Sequence, residues 1–205
     1  MDGALRRGLV VVLSKDDIVR GLRAIDKRAR EAGVVIDVSI YGGAAMALVF
    51  DVRQSTKDVD AVVNGPPEFL RLAAREVAAD EGWPEDWLND GVKGFTSAKE
   101  QMRLMADFSG ATEGGLRVFT PAPEYMFAMK CMAIRQQGLE GSRGISDIEA
   151  LADAAKIGSV DDALSLVESF YPNDRIPAKV RFGVEEIMER VLARRARLQP
   201  DHCGR

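Results

Sequence analysis

Residues 41–63 read YGGAAMALVFDVRQSTKDVDAVV. Gly42 and Gly43 follow an apolar run, Val34 to Ile40, and precede a helical pattern, Ala44 to Phe50; Asp58 and Asp60 stand further on in KDVDAVV. Successive strand side chains point to opposite faces, so Asp58 and Asp60 project from the same face of such a strand. Two carboxylates on one strand edge suit a divalent cation. Glycine can take φ > 0 and lets a ligand approach the backbone closely, and a helix N-terminus offers N–H groups to an anion, so the pair suits a phosphate. Phosphates bridged by Mg²⁺ in this way are the minimum apparatus for transferring a nucleotide. Taken singly, an ordinary turn accounts for the glycines and a solvated strand face for the aspartates. Strand, Gly-Gly, helix, short loop and D-x-D in that order are more specific.

The rest of the composition narrows the chemistry. A chain of 205 residues with 46% hydrophobic content can bury a real core as one large domain or two small ones. The single histidine, His202, stands near the end of the sequence. Nucleophile systems built on His and His-rich zinc sites need imidazoles in the body of a fold, which leaves carboxylates, Lys, Tyr and metal-bound water for acid-base work. Cys131 and Cys203 give no disulfide framework and agree with a reducing compartment. No window approaches eighteen uninterrupted apolar residues, and Leu9 to Leu13 is too short for a signal peptide or a span. A soluble, cytoplasmic protein with no membrane partner is expected. Net charge is −4, which argues against a uniformly positive surface but permits a local basic patch.

Along the chain, Ser14 followed by Asp17 resembles a capping box, and Ile18, Leu22, Ile25 and Ala29 recur at helical spacing, predicting a helix over 15–32. A buried strand is predicted at 34–41, a short helix at 43–50 and a second strand at 57–63, ended by Asn64-Gly65-Pro66-Pro67. A helix over 67–81 follows, with Phe69, Leu70, Ala73, Ala74 and Val77 as its core stripe, and then EGWPEDWLNDGVKGF, which reads as a loop. Strands are predicted at 102–108 and 116–120. Beyond Thr120 the strand signals end: Pro121 and Pro123 open a long helix, and others follow at about 145–157, 160–170 and 178–197. The expected class is α+β: a small mixed sheet with flanking helices over 1–120, then a helical C-terminal half over 121–205. The basic run Arg190 to Arg197 reads as the solvated face of the last helix, with an RNA contact as the alternative.

The segment GGAAMALVFDVRQSTKDVD resembles the G-[GS]-x(n)-D-x-D signature of the minimal nucleotidyltransferase superfamily, in the branch that carries the AbiEii- and MenT-type toxins. PEYMFAMKCMAIRQQGLEGSRGISDIEAL resembles the second half of that branch, a K-x-x-A-x-R helix followed by a D-[IL]-x-x-L helix, and WLNDGVKGF resembles a loop common in its relatives. The resemblance covers most of residues 35–155. It implies a nucleotidyltransferase-like core in which Gly42 and Gly43 hold the triphosphate of an NTP. Asp58 and Asp60 would hold Mg²⁺ or Mn²⁺, Lys130 would contact the nucleotide phosphates, and Asp147 would complete the site. It also implies transfer of a nucleotide to the 3′ end of a tRNA by a toxin with a cognate antitoxin. In one departure, many relatives carry serine where Gly43 stands, so a hydroxyl contact to phosphate is missing here.

Other residues stay open on their own chemistry. Lys130, on an apolar helix face, either snorkels to solvent or meets an anion. Arg143 and Asp147 are four apart, as in an intrahelical salt bridge. Asp107 is the natural third metal ligand; alternation puts Arg103, Met105 and Asp107 on one face and packs Leu104, Ala106 and Phe108 inward, although an exposed polar face reads the same. Arg53 and Thr56 could steer the phosphates or simply form the polar turn before the D-x-D. Trp87, Asn89 and Asp90 offer a stacking ring and polar contacts, or a packing anchor. A basic groove of Arg53, Lys57, Lys93, Lys99 and Arg103 would favour RNA as acceptor. The alternatives are transfer to a small molecule or a protein hydroxyl, and a nucleotide-binding or interaction module without turnover.

Overall fold

The structure is a computed structural model that describes residues 11–109, 114–134 and 143–198; the tail that holds His202 and Cys203 lies outside them. It is α+β and falls into two compact units, one made of 1–91 with 104–119 and the other of 92–103 with 120–205.

In the first unit, β1 (Leu13–Ser14) leads into α1 (Lys15–Glu31) through a complete capping box, the Ser14 hydroxyl accepting from the Asp17 N–H and the Asp17 carboxylate accepting from the Ser14 N–H. Ile18, Leu22, Ile25 and Ala29 are fully buried, as their spacing requires. The Ser14 hydroxyl, then the Ser14 N–H, hold the Asp17 carboxyl below its ordinary value. A carboxyl lowered in the folded state contributes stability above its ordinary pKa and loses it as pH falls through the lowered one. Ser14→Ala is expected to cost about 1 kcal/mol at neutral pH. In urea melts its deficit against the wild type should shrink once acid has protonated Asp17; a deficit unchanged by acid would contradict the capping account.

The main sheet is ordered β5 (Leu88–Asn89), β4 (Val59–Asn64), β2 (Val35–Ile40), β7 (Gly115–Pro121) and β6 (Met102–Asp107), with β2 at its centre. β2 runs antiparallel to β4 and parallel to β7, and β4 runs parallel to β5. Ile36, Val38 and Ile40 alternate into the core. Between β2 and β4 lie α2 (Gly42–Leu48) and β3 (Ser55–Thr56), which pairs antiparallel with β1. Arg53 and Thr56 therefore belong to the approach and body of a short strand rather than to a plain turn. α3 (Pro67–Glu81) starts with proline in its first turn and ends at Gly82 in the left-handed conformation. It buries Leu70, Ala73, Ala74, Val77 and Ala78, while Phe69 is only half-buried. α1 packs on α3, and Arg28 ties them by bonding Glu76 at 2.8 Å and Asp80 at 2.7 Å.

The loop expected at 81–95 contains structure. β5 extends the sheet beyond β4, and residues Gly91–Phe95 form a 3₁₀ turn. Trp87 is fully buried, its indole N–H donating to the Ala74 carbonyl at 2.9 Å and its ring meeting Trp83 edge-on. A packing anchor, not a stacking platform, is its role. On β6 (Met102–Asp107) the inward packing expected of Leu104 fails: the side chain is 56% exposed, on a strand with a sheet neighbour on one side only.

The second unit is built on α4 (Pro123–Met132), α5 (Arg143–Ala154), α6 (Val160–Phe170) and α7 (Ala178–Leu198). α4 buries Tyr125, Met126, Phe127, Ala128, Met129 and Cys131, so it is hydrophobic nearly all round, and it packs on α5, α6 and α7. Burial, helped by the Glu100 carboxylate and opposed by the Ser97 N–H, pushes the Tyr125 hydroxyl up to about 12, and burial alone raises the Cys131 thiol, which makes that cysteine inert at neutral pH. The second unit takes up the chain again at Thr120, and 92–103 belongs with its helices. The Ser97 N–H donates to the Tyr125 hydroxyl, the Ser97 hydroxyl to the Phe170 carbonyl, and the Tyr171 hydroxyl to the Phe95 carbonyl. On α7 the basic run is not simply solvated: Arg194 bonds Glu149 and Asp153, and Arg195 bonds Asp153. No helix among the described residues is long and apolar enough to cross a membrane.

Candidate functional site

β2 delivers the chain into Gly42 at φ +61°, a conformation that side-chain-bearing residues rarely adopt. The Tyr41 N–H donates to the Asp60 carbonyl at 2.9 Å, which fastens the glycine turn to β4 at the level of the second aspartate. A Cβ on Gly42 would collide with Asp60 Oδ2. The glycine is thus required by both its backbone conformation and the carboxylate lying against it. At the next position, a Cβ on Gly43 would stand 2.5 Å from Thr56 Oγ1 and 3.0 Å from Arg53 Nη1. Consecutive glycines therefore hold open two unlike spaces, one against an acid and one against a hydroxyl and a guanidinium.

Asp58 and Asp60 share a face, as alternation predicts, because Val59 and Ala61 go into the core. The Val59 N–H donates to the Trp87 carbonyl at 2.6 Å, so the buried Trp87 segment fixes the register of the D-x-D. Asn89, read from the sequence as a source of polar contacts, meets the first aspartate. Its amide donates to Asp58 Oδ2 at 3.2 Å while its carbonyl oxygen accepts from the Gly91 N–H at 2.9 Å. Asn89 orients an acid; the Asn-Asp-Gly turn was its only sequence signal. A Cβ on Gly91 would lie 3.0 Å from Asn89 Oδ1 and 3.6 Å from Asp60 Oδ1, which brings Asn89 and Asp60 to the same spot. Asp90 is exposed.

Asp107 does not join them. The Phe108 N–H bonds the Leu116 carbonyl, and Leu116 is in register with Ile36 at the start of β2, whereas Asp60 is level with Tyr41 beyond its end. β2 and β7 also stand between β4 and β6. Asp107 accepts instead from the N–H and hydroxyl of Ser109. No group of three His, Cys, Asp or Glu side chains suited to a metal occurs among the described residues. Asp58 and Asp60 are the side chains that could hold a cation here; two carboxylates would suit Mg²⁺, which is commonly held by one or two of them with water and substrate phosphate as its other ligands.

The α2 helix is weaker support for anion binding than its sequence suggested. It has only seven residues, and Ala44 to Leu48 are buried. The nearby positive group is the Arg53 guanidinium.

In the second unit, Lys130 and Asp147 meet. Lys130 Nζ donates to Asp147 Oδ2 at 2.7 Å, with the lysine side chain 16% exposed and the aspartate 1%. Lys130 does not snorkel; it meets an anion, the Asp147 carboxylate, between α4 and α5. The Arg143 side chain lies outside the described residues. Of the basic residues read as a groove, Arg53 and Lys57 belong to the first unit, and Lys93, Lys99 and Arg103 to the second. Lys99 is engaged with the Ser169 carbonyl at 2.9 Å, and Arg103 lies 3.7 Å from Glu124.

No protein-family model, no curated protein and no solved structure matches the chain.

Proposed function

We propose that this protein is a nucleotidyltransferase that moves a nucleoside monophosphate from an NTP to an acceptor hydroxyl, with Mg²⁺ or Mn²⁺ as its metal. The observation that carries this reading is the abutment of the Gly42 backbone on the Asp60 carboxylate, with Asp58 on the same face. A triphosphate laid on the two glycines would stand beside both acids. Asp58 and Asp60 would hold the cation, which lowers the charge on the triphosphate and polarises the α-phosphorus. The acceptor oxygen bonds to the α-phosphorus, the bridging P–O bond breaks, pyrophosphate leaves with the electron pair, and the acceptor proton passes to water. Because the transition state spreads charge over phosphoryl oxygens, positioning and charge stabilisation supply most of the acceleration.

The remaining assignments rest on the sequence resemblance. They are Lys130 as a phosphate contact, Asp147 as the residue that completes the site, the tRNA 3′ end as acceptor, and a cytoplasmic toxin silenced by an antitoxin protein. Calorimetric titration of each NTP with and without Mg²⁺ tests the site itself. Binding that requires Mg²⁺ and is lost in Asp58→Asn/Asp60→Asn is expected; binding indifferent to both would overturn the metal-bridged reading.

A further inference from the structure

The geometry points to Thr56 as the side-chain hydroxyl donor to the triphosphate, its Oγ1 filling the space that a side chain on residue 43 would take, with Arg53 beside it. This rests on the nucleotidyltransferase reading and specifies how that site grips phosphate. Thr56 is 5% exposed, on β3, whose pairing with β1 fixes its backbone opposite Leu13. Its Oγ1 lies 2.5 Å from the Cβ position of residue 43, and Arg53 Nη1 lies 3.0 Å from the same point. A serine there would place its own hydroxyl within one bond of that Cβ, in space that Thr56 already fills. The same functional group thus reaches the same place from a different strand.

The two sides of the glycine pair are also chemically divided. Gly42 faces the Asp60 carboxylate, an acceptor and metal ligand, whereas Gly43 faces a hydroxyl and a guanidinium, both hydrogen-bond donors. A phosphate chain lying across the pair matches this division, with metal-bound oxygens toward Asp60 and the others accepting from Thr56 and Arg53. Gly43 is accordingly the residue that makes room for Thr56, not the loss of a contact.

The test measures Mg²⁺-dependent binding of inorganic tripolyphosphate and of ATP to the full chain, so that neither base preference nor acceptor identity enters. Thr56→Val, nearly the same in shape, is expected to weaken tripolyphosphate binding at least ten-fold, and Thr56→Ser to stay within about three-fold of wild type. Gly43→Ser alone, which crowds Thr56, should weaken binding. Gly43→Ser/Thr56→Ala should restore it, because the hydroxyl is moved rather than removed. If Thr56→Val binds like wild type, or the double variant is no better than Gly43→Ser, the inference is overturned while Asp60-dependent binding still upholds the site. Wild-type protein that binds neither probe in Mg²⁺ overturns both.

Discussion

Asp60→Asn is expected to reduce nucleotide transfer by roughly a thousand-fold or more, while Asp107→Asn leaves it within about two-fold of wild type. Metal stabilisation of phosphoryl charge is worth several kcal/mol, and each 1.36 kcal/mol is a factor of about ten in rate. Asparagine keeps the shape that lies against Gly42, so the loss reads the charge and not a repacked turn. Asp107, at the other end of the sheet and bonded to Ser109, supplies the control. Initial rates with labelled NTP measure both, and thermal melts establish that each variant folds. Equal losses in the two variants would contradict the two-carboxylate assignment.

The second large effect concerns the second unit. Asp147→Ala leaves the Lys130 ammonium buried beside a cavity, and removing one partner of a buried ion pair costs about 3–5 kcal/mol. Replacing both by apolar residues of similar volume, Lys130→Met with Asp147→Leu, removes the uncompensated charge and should come much closer to wild-type stability in urea unfolding. This separates a structural role from a catalytic one. The double variant is expected to be folded but inactive, because the phosphate contact assigned to Lys130 is gone. A folded double variant with wild-type transfer would show that the pair only joins α4 to α5.

The parts legible in the sequence were those governed by local rules. α1 announced itself by its capping box and by Ile18, Leu22, Ile25 and Ala29; α3 by proline at its start and Gly82 at its end. The side-by-side placement of Asp58 and Asp60 followed from strand alternation. What remained hidden depended on contacts distant in sequence. Two-residue strands such as β1, β3 and β5 have no period to detect, so Thr56 read as either a phosphate-steering or a turn residue, with no strand to hold it, and Asn89 as part of a loop. Asp107 is exposed on β6, and strand order, which no local pattern encodes, carried it away from the other acids. The 92–103 segment joined the helices through hydrogen bonds from Ser97, Lys99 and Tyr171, groups with no sequence signature. Gly43 looked like a missing hydroxyl until the packing around it placed Thr56 there.

Nucleotide transfer itself is tested most directly by incubating the full chain with α-phosphate-labelled NTPs, total tRNA and Mg²⁺. Wild-type protein is predicted to place label on tRNA 3′ ends with release of pyrophosphate, and Asp60→Asn to leave the tRNA unlabelled. Wild-type protein that binds Mg²⁺ and NTP yet labels nothing, or labelling that Asp60→Asn does not diminish, would contradict it.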